Sequence, residues 1–573
     1  MTSTLTAPPA GRRSGGATPS ALRSGALMAA GSLVSRATGF VRASVAAAAL
    51  GAGLVADGYA VGNSVPTIVY TLLIGGALNA VFVPELVRAA KEHEDGGAAY
   101  TDRLLTVCAL ALLALTAGAV LAAPALVDAY TDYTGAQRDM TVAFTRTCLP
   151  QILFLGLFTL LGQVLNARGR FGAMMWTPVL NNAVVVAVFG LFLAVADGGA
   201  LTGGETALLG WGTTAGIAVQ ALALLPSLRA AGFRWRPRFD WRGSGLTAPL
   251  RSAGWLVLLV LTNQAAYWLT TLLATSAGAT TGGGSGLAAY NNAYLLWTVP
   301  HGILTVSLVT ALMPRMSGAA ADGDLAAVRR DVGHAQRTCA AGIVPAACAL
   351  FALALPLMTV VFRHGETGGD DVRAMAWTLT AFAPGLVALS GQYVCSRAFY
   401  ALRDTRTPFL LNLLVAGLNA LLALCAAQWL PPHWTVTGMA AGYSAALWAG
   451  WGLTAYVLGR RLRGDGARAV PSGTAGGPAP AAPDAGTAGG PAPAAPDAPG
   501  GGSAGALGRL LLAAVPAAGL GLWTADTAAP AGALGSAAAG ALTIAAAFAL
   551  LARPLRLTEL SALVNRAAGR LRR

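Results

Sequence analysis

The chain has 573 residues, 55% of them hydrophobic and only 11% charged, with a mean hydropathy of +0.60, which excludes a water-soluble globular protein of this size. Its net charge of +14 sits mostly on alternate connections between apolar runs, so it reports membrane topology and contact with anionic lipid, and a nucleic-acid partner is excluded. Cys108, Cys148, Cys339, Cys348, Cys395 and Cys425 lack metal-ligand spacing, and no phosphate loop or nucleophile with a neighbouring base is present, so the sequence does not read as an enzyme.

Residues 1–24 are polar and read as a disordered cytoplasmic tail. Crossing ~30 Å of hydrocarbon takes roughly 20 apolar residues in a helix. Such runs follow at 25–50, 58–87, 104–123, 141–165, 173–196 and 206–227, which make an N-terminal six-helix lobe over 25–242. A second six, at 253–276, 288–312, 338–361, 374–396, 408–428 and 436–458, makes a lobe over 243–463. Two facing six-helix lobes are a common transporter plan. From 464 to 505 Pro, Gly, Ala, Ser and Asp replace the apolar runs, and GTAGGPAPAAPDA at Gly473 to Ala485 repeats at Gly486 to Ala498; this is a disordered linker. Runs at 508–525 and 532–552 follow, and 506–573 closes with a basic cytoplasmic tail. The predicted fold is therefore an all-α integral membrane protein of about fourteen helices.

Arg and Lys gather on alternate connections: Arg12, Arg13 and Arg23; Arg88, Lys91 and Arg103; Arg168 and Arg170; Arg229 to Arg242; Arg315 to Arg337; Arg397 to Arg406; Arg460 to Arg463; and Arg553 to Arg573. The other connections carry only Arg138, Arg363 and Arg373. This places both termini of a multi-pass cell-membrane protein in the cytoplasm. Helix 1 lacks a small-residue cleavage site, so no removable signal peptide is expected, and helix 1 itself directs insertion. The acidic pair Asp370 and Asp371 reads as a solvated external loop.

Charges inside the membrane mark a substrate path or an ion pair, because burying one costs about 2.5–3.5 kcal/mol. From Gly25, Arg36 lies ~16 Å and Arg42 ~25 Å along helix 1, about 120° apart around its axis. Each either snorkels, or braces helices by pairing with Asp57 or Glu85, or faces a cavity where its guanidinium binds phosphate or pyrophosphate bidentately. Arg146 has the same choices. Intramembrane arginines make a carrier of cationic drugs the poorer reading, since that task calls for carboxylates. Pro66, Pro84, Pro178, Pro300 and Pro408 lie in or beside helices, where each is a kink that serves either packing or hinge motion.

The strings SRATGFVR (Ser35–Arg42), LGAGLVADGY (Leu50–Tyr59), GGALNAVFVPEL (Gly75–Leu86), GQVLNARGRF (Gly162–Phe171) with Pro178 and Asn182, PHGILTVSLVTALMPRMS (Pro300–Ser317), FRHG (Phe362–Gly365) and AFYALRDTRTPF (Ala398–Phe409) resemble, in order, those of the MurJ/MviN family of lipid II flippases. The actinobacterial branch is the most similar, and Lys91 as the one lysine among 38 basic residues suits a GC-rich genome. The resemblance implies the fold of the multidrug/oligosaccharidyl-lipid/polysaccharide exporter superfamily, with two lobes around a V-shaped cavity and helices 13 and 14 forming a groove for a lipid tail. It implies that lipid II, an undecaprenyl-pyrophosphate disaccharide-pentapeptide for peptidoglycan, moves from the inner to the outer leaflet, with membrane lipids and cell-wall synthesis machinery as partners. No cofactor is implied.

Carried over by position, the family's helix 1 arginine falls on Arg42, the earlier one on Arg36, and the acidic residue beyond helix 1 on Asp57. The helix 2 arginine site is Tyr70, beside Thr71, and the helix 8 arginine site is Leu295; Ala43 stands where an acidic residue usually follows Arg42. Either Arg42 binds the anion with Asn291, Asn292 and Tyr294 as further donors, or the cargo is another polyprenyl-linked glycan or a secondary metabolite. A non-transporting scaffold for cell-wall enzymes is the third alternative. The energy source is the membrane potential, worth ~2.3 kcal/mol per charge per 100 mV, or sodium, with Asn263, Asn412 or Asn419 as ligand candidates.

Overall fold

In the computed structural model, the described residues are 19–71, 95, 97–168, 170, 172–196, 201–240, 254–281, 284–464, 503–557 and 559–561. Gly75, Gly76, Pro84, Glu85 and most of the repeat-bearing linker lie outside them. Every regular element among the described residues is helical. In chain order these are α1 (Pro19–Leu50), α2 (Leu54–Tyr70), α3 (Ala98–Leu121), α4 (Ala123–Tyr130), α5 (Gly135–Cys148), α6 (Gln151–Ala167), α7 (Gly172–Val195), α8 (Gly203–Leu222), α9 (Leu225–Ala230) and α10 (Gly254–Thr281). There follow α11 (Leu287–Pro300), α12 (Val306–Ala321), α13 (Leu325–Ala352), α14 (Ala354–Phe362), α15 (Gly369–Phe382), α16 (Gly385–Ala401), α17 (Arg406–Trp429), α18 (Pro432–Gly464), α19 (Ser503–Thr527) and α20 (Gly532–Leu551).

Among the described residues ten helices or joined helices are long and apolar enough to cross a bilayer, or eleven if α15 and α16, bent by 45°, count as one span. That bend explains why the predicted span 374–396 is not straight. It falls at Ala383 and Pro384, where proline supplies no amide for the helical ladder. Pro300 has a similar effect: the predicted span 288–312 widens at His301–Thr305 into a π turn between α11 and α12. Large apolar side chains point outward as lipid requires, among them Leu512, Val515 and Trp523 on α19 and Leu534, Leu542 and Leu550 on α20.

The described residues fall into two compact units. One holds the chain up to Ala46, then Gly62–Ala123 and Val142–Ser252; the other holds Ala47–Val61, Pro124–Thr141 and the chain from Ala253 onward. In the first, α8 lies along α7 and α6, and α3 along α6. The Asn182 amide of α7 donates to Ser35 O (3.1 Å) and Thr38 Oγ1 (3.0 Å), which fixes α1 and gives that motif residue a structural task. The basic stretch after α9 is tied down by its backbone: the Arg236 amide donates to Asp102 and the Arg238 amide to Thr106 Oγ1. Arg103 forms an ion pair with Asp240, and Arg168 lies 5.0 Å over the Phe233 ring.

In the second unit α17 lies along α18 and α10, α16 along α18 and α13, and α19 along α13 and α20. Val394, Cys395 and Phe399 of α16 share a buried cluster with Val332 and Cys339 of α13. Arg337 of α13 pairs with Glu559 at 2.7 Å, which fastens the chain beyond α20. Asp371 accepts the Gly368 amide and so caps the start of α15, whereas Asp370 is solvated as expected and pairs with Arg373.

The RDTRTP turn between α16 and α17 has a definite construction. Arg403 adopts the left-handed conformation (φ 58°), and Asp404 accepts from the Thr407 amide (3.0 Å) and hydroxyl (2.7 Å) while pairing with Arg461 of α18. Burial pushes the Asp404 carboxyl up, but these bonds and the Arg461 charge outweigh it and hold the group below the ordinary aspartate value. A depressed folded value means that the stabilisation is complete above the ordinary aspartate pKa of about 3.9 and is lost as pH falls through the folded value. Amide exchange over 403–409, corrected for intrinsic rates, is therefore expected to stay level down to about pH 4 and quicken below, and Asp404→Asn is expected to raise it at neutral pH. Level exchange in Asp404→Asn would dismiss the turn as a fastening point.

Candidate functional site

Two stretches flanked by residues of the first unit, 47–61 and 124–141, are built into the second. The first is held through its backbone. Gly284 N donates to Ala52 O (2.9 Å), Glu366 N to Ala48 O (2.9 Å), and Thr367 Oγ1 to Ala47 O (2.8 Å). Gly365, the last residue of FRHG, takes φ 57°, and a methyl group there would overlap Ala48 O, so the motif glycine meets both demands. The Gln137 amide donates to Leu54 O (2.7 Å), and Trp268 Nε1 donates to Ala129 O (2.7 Å), which binds the second stretch to α10.

Asp57 is the centre of this arrangement. Its side chain is wholly buried in the first turn of α2. Oδ1 accepts the Ala288 amide at 2.6 Å, capping the amino end of α11 from a helix 231 residues away in sequence. A helix amino end carries free amides and a partial positive charge, so a carboxyl group suits it. Gly286, the residue before α11, and Gly278 of α10 leave room for Oδ2; a methyl group at either would overlap it. Oδ2 itself is buried and has no hydrogen-bond partner.

The other predicted site residues are dispersed. Arg36 is exposed and Arg42 half-buried on α1, in the first unit, and no carboxylate pairs with either among the described residues. Tyr70 ends α2, and its side chain lies outside the described part. Asn291 and Asn292 are neighbours on α11 and diverge, as residues 100° apart on a helix must. Asn292 turns to Met375 Sδ at 4.0 Å, whereas Asn291 lines a cavity of about 640 Å³ within the second unit.

That cavity is built by α10, α11, α16, α17 and α18. It also takes Tyr294 and brings together Asn263, Asn412 and Asn419, with the Asn412 amide donating to Asn263 Oδ1 at 2.9 Å. Sequence reading did not single out Tyr267, Gln392, Tyr393, Tyr400 and Tyr443, and took Arg397 as a topological charge. They face one space because five helices converge, and no spacing along the chain announces such a convergence.

Comparison with known proteins gives a consistent result. The family model described as "Lipid II flippase MurJ" matches residues 46–473. A relative named probable lipid II flippase MurJ from Rhizobium meliloti is 27% identical over 426 residues, 73% of this chain and 76% of that one. The lipid II flippase MurJ of Burkholderia cenocepacia is 28% identical over 384 residues (66% and 72%), and a probable one of Haemophilus influenzae 27% over 450 (75% and 84%). Among solved structures, a lipid II flippase MurJ in an inward closed conformation aligns with a TM-score of 0.70 at 15% identity, over 92% of this chain and 99% of that one. An inward-facing multidrug transporter of the MATE family aligns at 0.53 and 14% identity over 77% and 95%; both matches speak to fold.

Proposed function

This chain belongs to the MurJ family of lipid II flippases, and from that membership we propose that it moves lipid II from the inner to the outer leaflet of the cell membrane by alternating access. The observation that carries the reading is the extent of the family match, which takes in parts of both units and the Asp57 cap. No bond is made or broken; the charged head passes through a wet path while the polyprenyl chain stays in lipid, which spares the head desolvation. The alternation of Arg-rich connections supports cytoplasmic termini. The outward apolar faces of α19 and α20 support a role beside the lipid tail.

In this reading Arg42, with Arg36 nearby on α1, engages the pyrophosphate, and Asp57 holds the 47–61 stretch against α11 in one state of the cycle. Energy comes from the membrane potential or from sodium. Tyr70 and Leu295, at positions where the resemblance leads one to look for arginine, favour a second reading in which the cargo is another polyprenyl-linked glycan. Expressing the chain in cells depleted of their resident flippase is expected to restore outer-leaflet lipid II to near its normal amount. No restoration, with the protein confirmed in the membrane, would remove lipid II as the cargo and leave the second reading.

A further inference from the structure

Between α11 and α12 the backbone ladder changes step twice. The His301 amide donates three residues back, to Thr298 O, and the Val306 amide five residues back, to His301 O. A π turn of this kind holds one residue more than the α-helix it interrupts, and such turns gather at functional sites. Pro300 at its entrance has no amide to give, so the ladder is already broken there. His301 Nδ1 lies within hydrogen-bond distance of Ser390 Oγ (3.0 Å), which ties the turn to α16, while Ile303 points outward.

The turn also leaves a polar group without its bond. Thr310, Thr378 and Thr454 each donate their hydroxyl to the carbonyl four residues back, the habitual bond of a helical threonine. For Thr305 that carbonyl is His301 O, which the widened turn engages with the Val306 amide. Thr305 Oγ1 is wholly buried beside Cys339 of α13 and has no hydrogen-bond partner. Trp297 Nε1, one turn earlier on α11, is buried without a partner as well. Closing the turn into an α-helix offers Thr305 its bond, so the open form is the less satisfied of the two.

Closure has a geometric condition. With the number of residues fixed, it turns α11 by about 100° relative to α12. Val309 and Met316 hold α12 in the buried cluster it shares with α13 and α16, so α11 is the half that moves. Its far end is fixed by Asp57 on the Ala288 amide. We propose that the π turn at His301–Thr305 is a register joint, open while Asp57 caps α11 and closed when the cap lets go, so that α11 rotates by one residue. That angle is the one between Asn291, which lines the cavity, and Asn292, which meets Met375. The rotation therefore changes which face of α11 the cavity sees. The joint rests on the alternating-access reading for its purpose and on the second unit alone for its geometry.

The test is amide hydrogen exchange on the full chain in nanodiscs, read separately over 287–291 and 301–306. Asp57→Ala is expected to quicken exchange at the cap and to slow it at the turn, each by about fivefold or more. A helix merely loosened by the lost cap quickens at both places; that result, or an unchanged turn, overturns the joint. Deletion of Ile303 removes the extra residue and leaves α11 and α12 in their present phase. This variant is expected to melt no lower than wild type, to keep the cap, to lose the response of the turn to Asp57→Ala, and to fail in rescue of the flippase-depleted cell. Rescue at the wild-type level overturns the joint and leaves the flippase reading standing. Should the deletion variant not reach the membrane, the exchange of Asp57→Ala decides alone. Opposite changes at cap and turn, with no rescue by the wild-type chain, uphold the joint and overturn lipid II as cargo.

Discussion

Replacing Asp57 by alanine is expected to abolish rescue of a flippase-depleted cell while the protein still reaches the membrane. The carboxyl accepts the Ala288 amide at the amino end of α11 inside a wholly buried setting. Its removal leaves that donor unsatisfied, at about 1–3 kcal/mol, which changes the population of the capped state by a factor of about 5 to 150. Asp57→Asn keeps an oxygen for Ala288 but places an amide where Oδ2 has no partner, so an intermediate loss is expected. Asp57→Glu needs a further methylene where Gly278 and Gly286 leave no space.

The same contact can be broken from its other side. Gly286→Ala puts a methyl group onto Oδ2, so its phenotype should match that of Asp57→Ala, and the double variant should be no worse than either single one. Outer-leaflet lipid II at matched protein level gives the readout. Additive losses would show that the two residues act separately, and the cap would then have no part in transport.

Much of this architecture was legible because the bilayer imposes a simple rule: long apolar runs must be helices, and arginine marks their ends. Asp57 was also legible, through the LGAGLVADGY string. Its partner was not, since Ala288 contributes only a backbone amide, and a backbone donor has no residue signature. Asn291 and Asn292 show a second limit. Adjacent amides look equivalent in sequence, yet α11 turns one to the cavity and the other to Met375. Arg397 shows a third: an arginine near a helix end satisfies the topology rule, and only the structure shows it stacked on Tyr393 and Tyr400 in the cavity wall.

Arg42→Ala is expected to lower transport by at least about two orders of magnitude. Two charge-assisted hydrogen bonds to a pyrophosphate are worth about 1.5–3 kcal/mol each, and Arg42 is half-buried with no carboxylate paired to it among the described residues. Arg42→Lys retains the charge but loses the planar fork, so a loss of about tenfold is expected. Arg36 is exposed on the same helix, where solvent and salt screen its charge, and Arg36→Ala should stay within a few-fold of wild type. The comparison separates two accounts of helix 1, because loss of a general positive field would make the two alanine variants alike. Equal losses, measured as outer-leaflet lipid II at equal protein level, would therefore replace a specific Arg42 contact with diffuse attraction along α1.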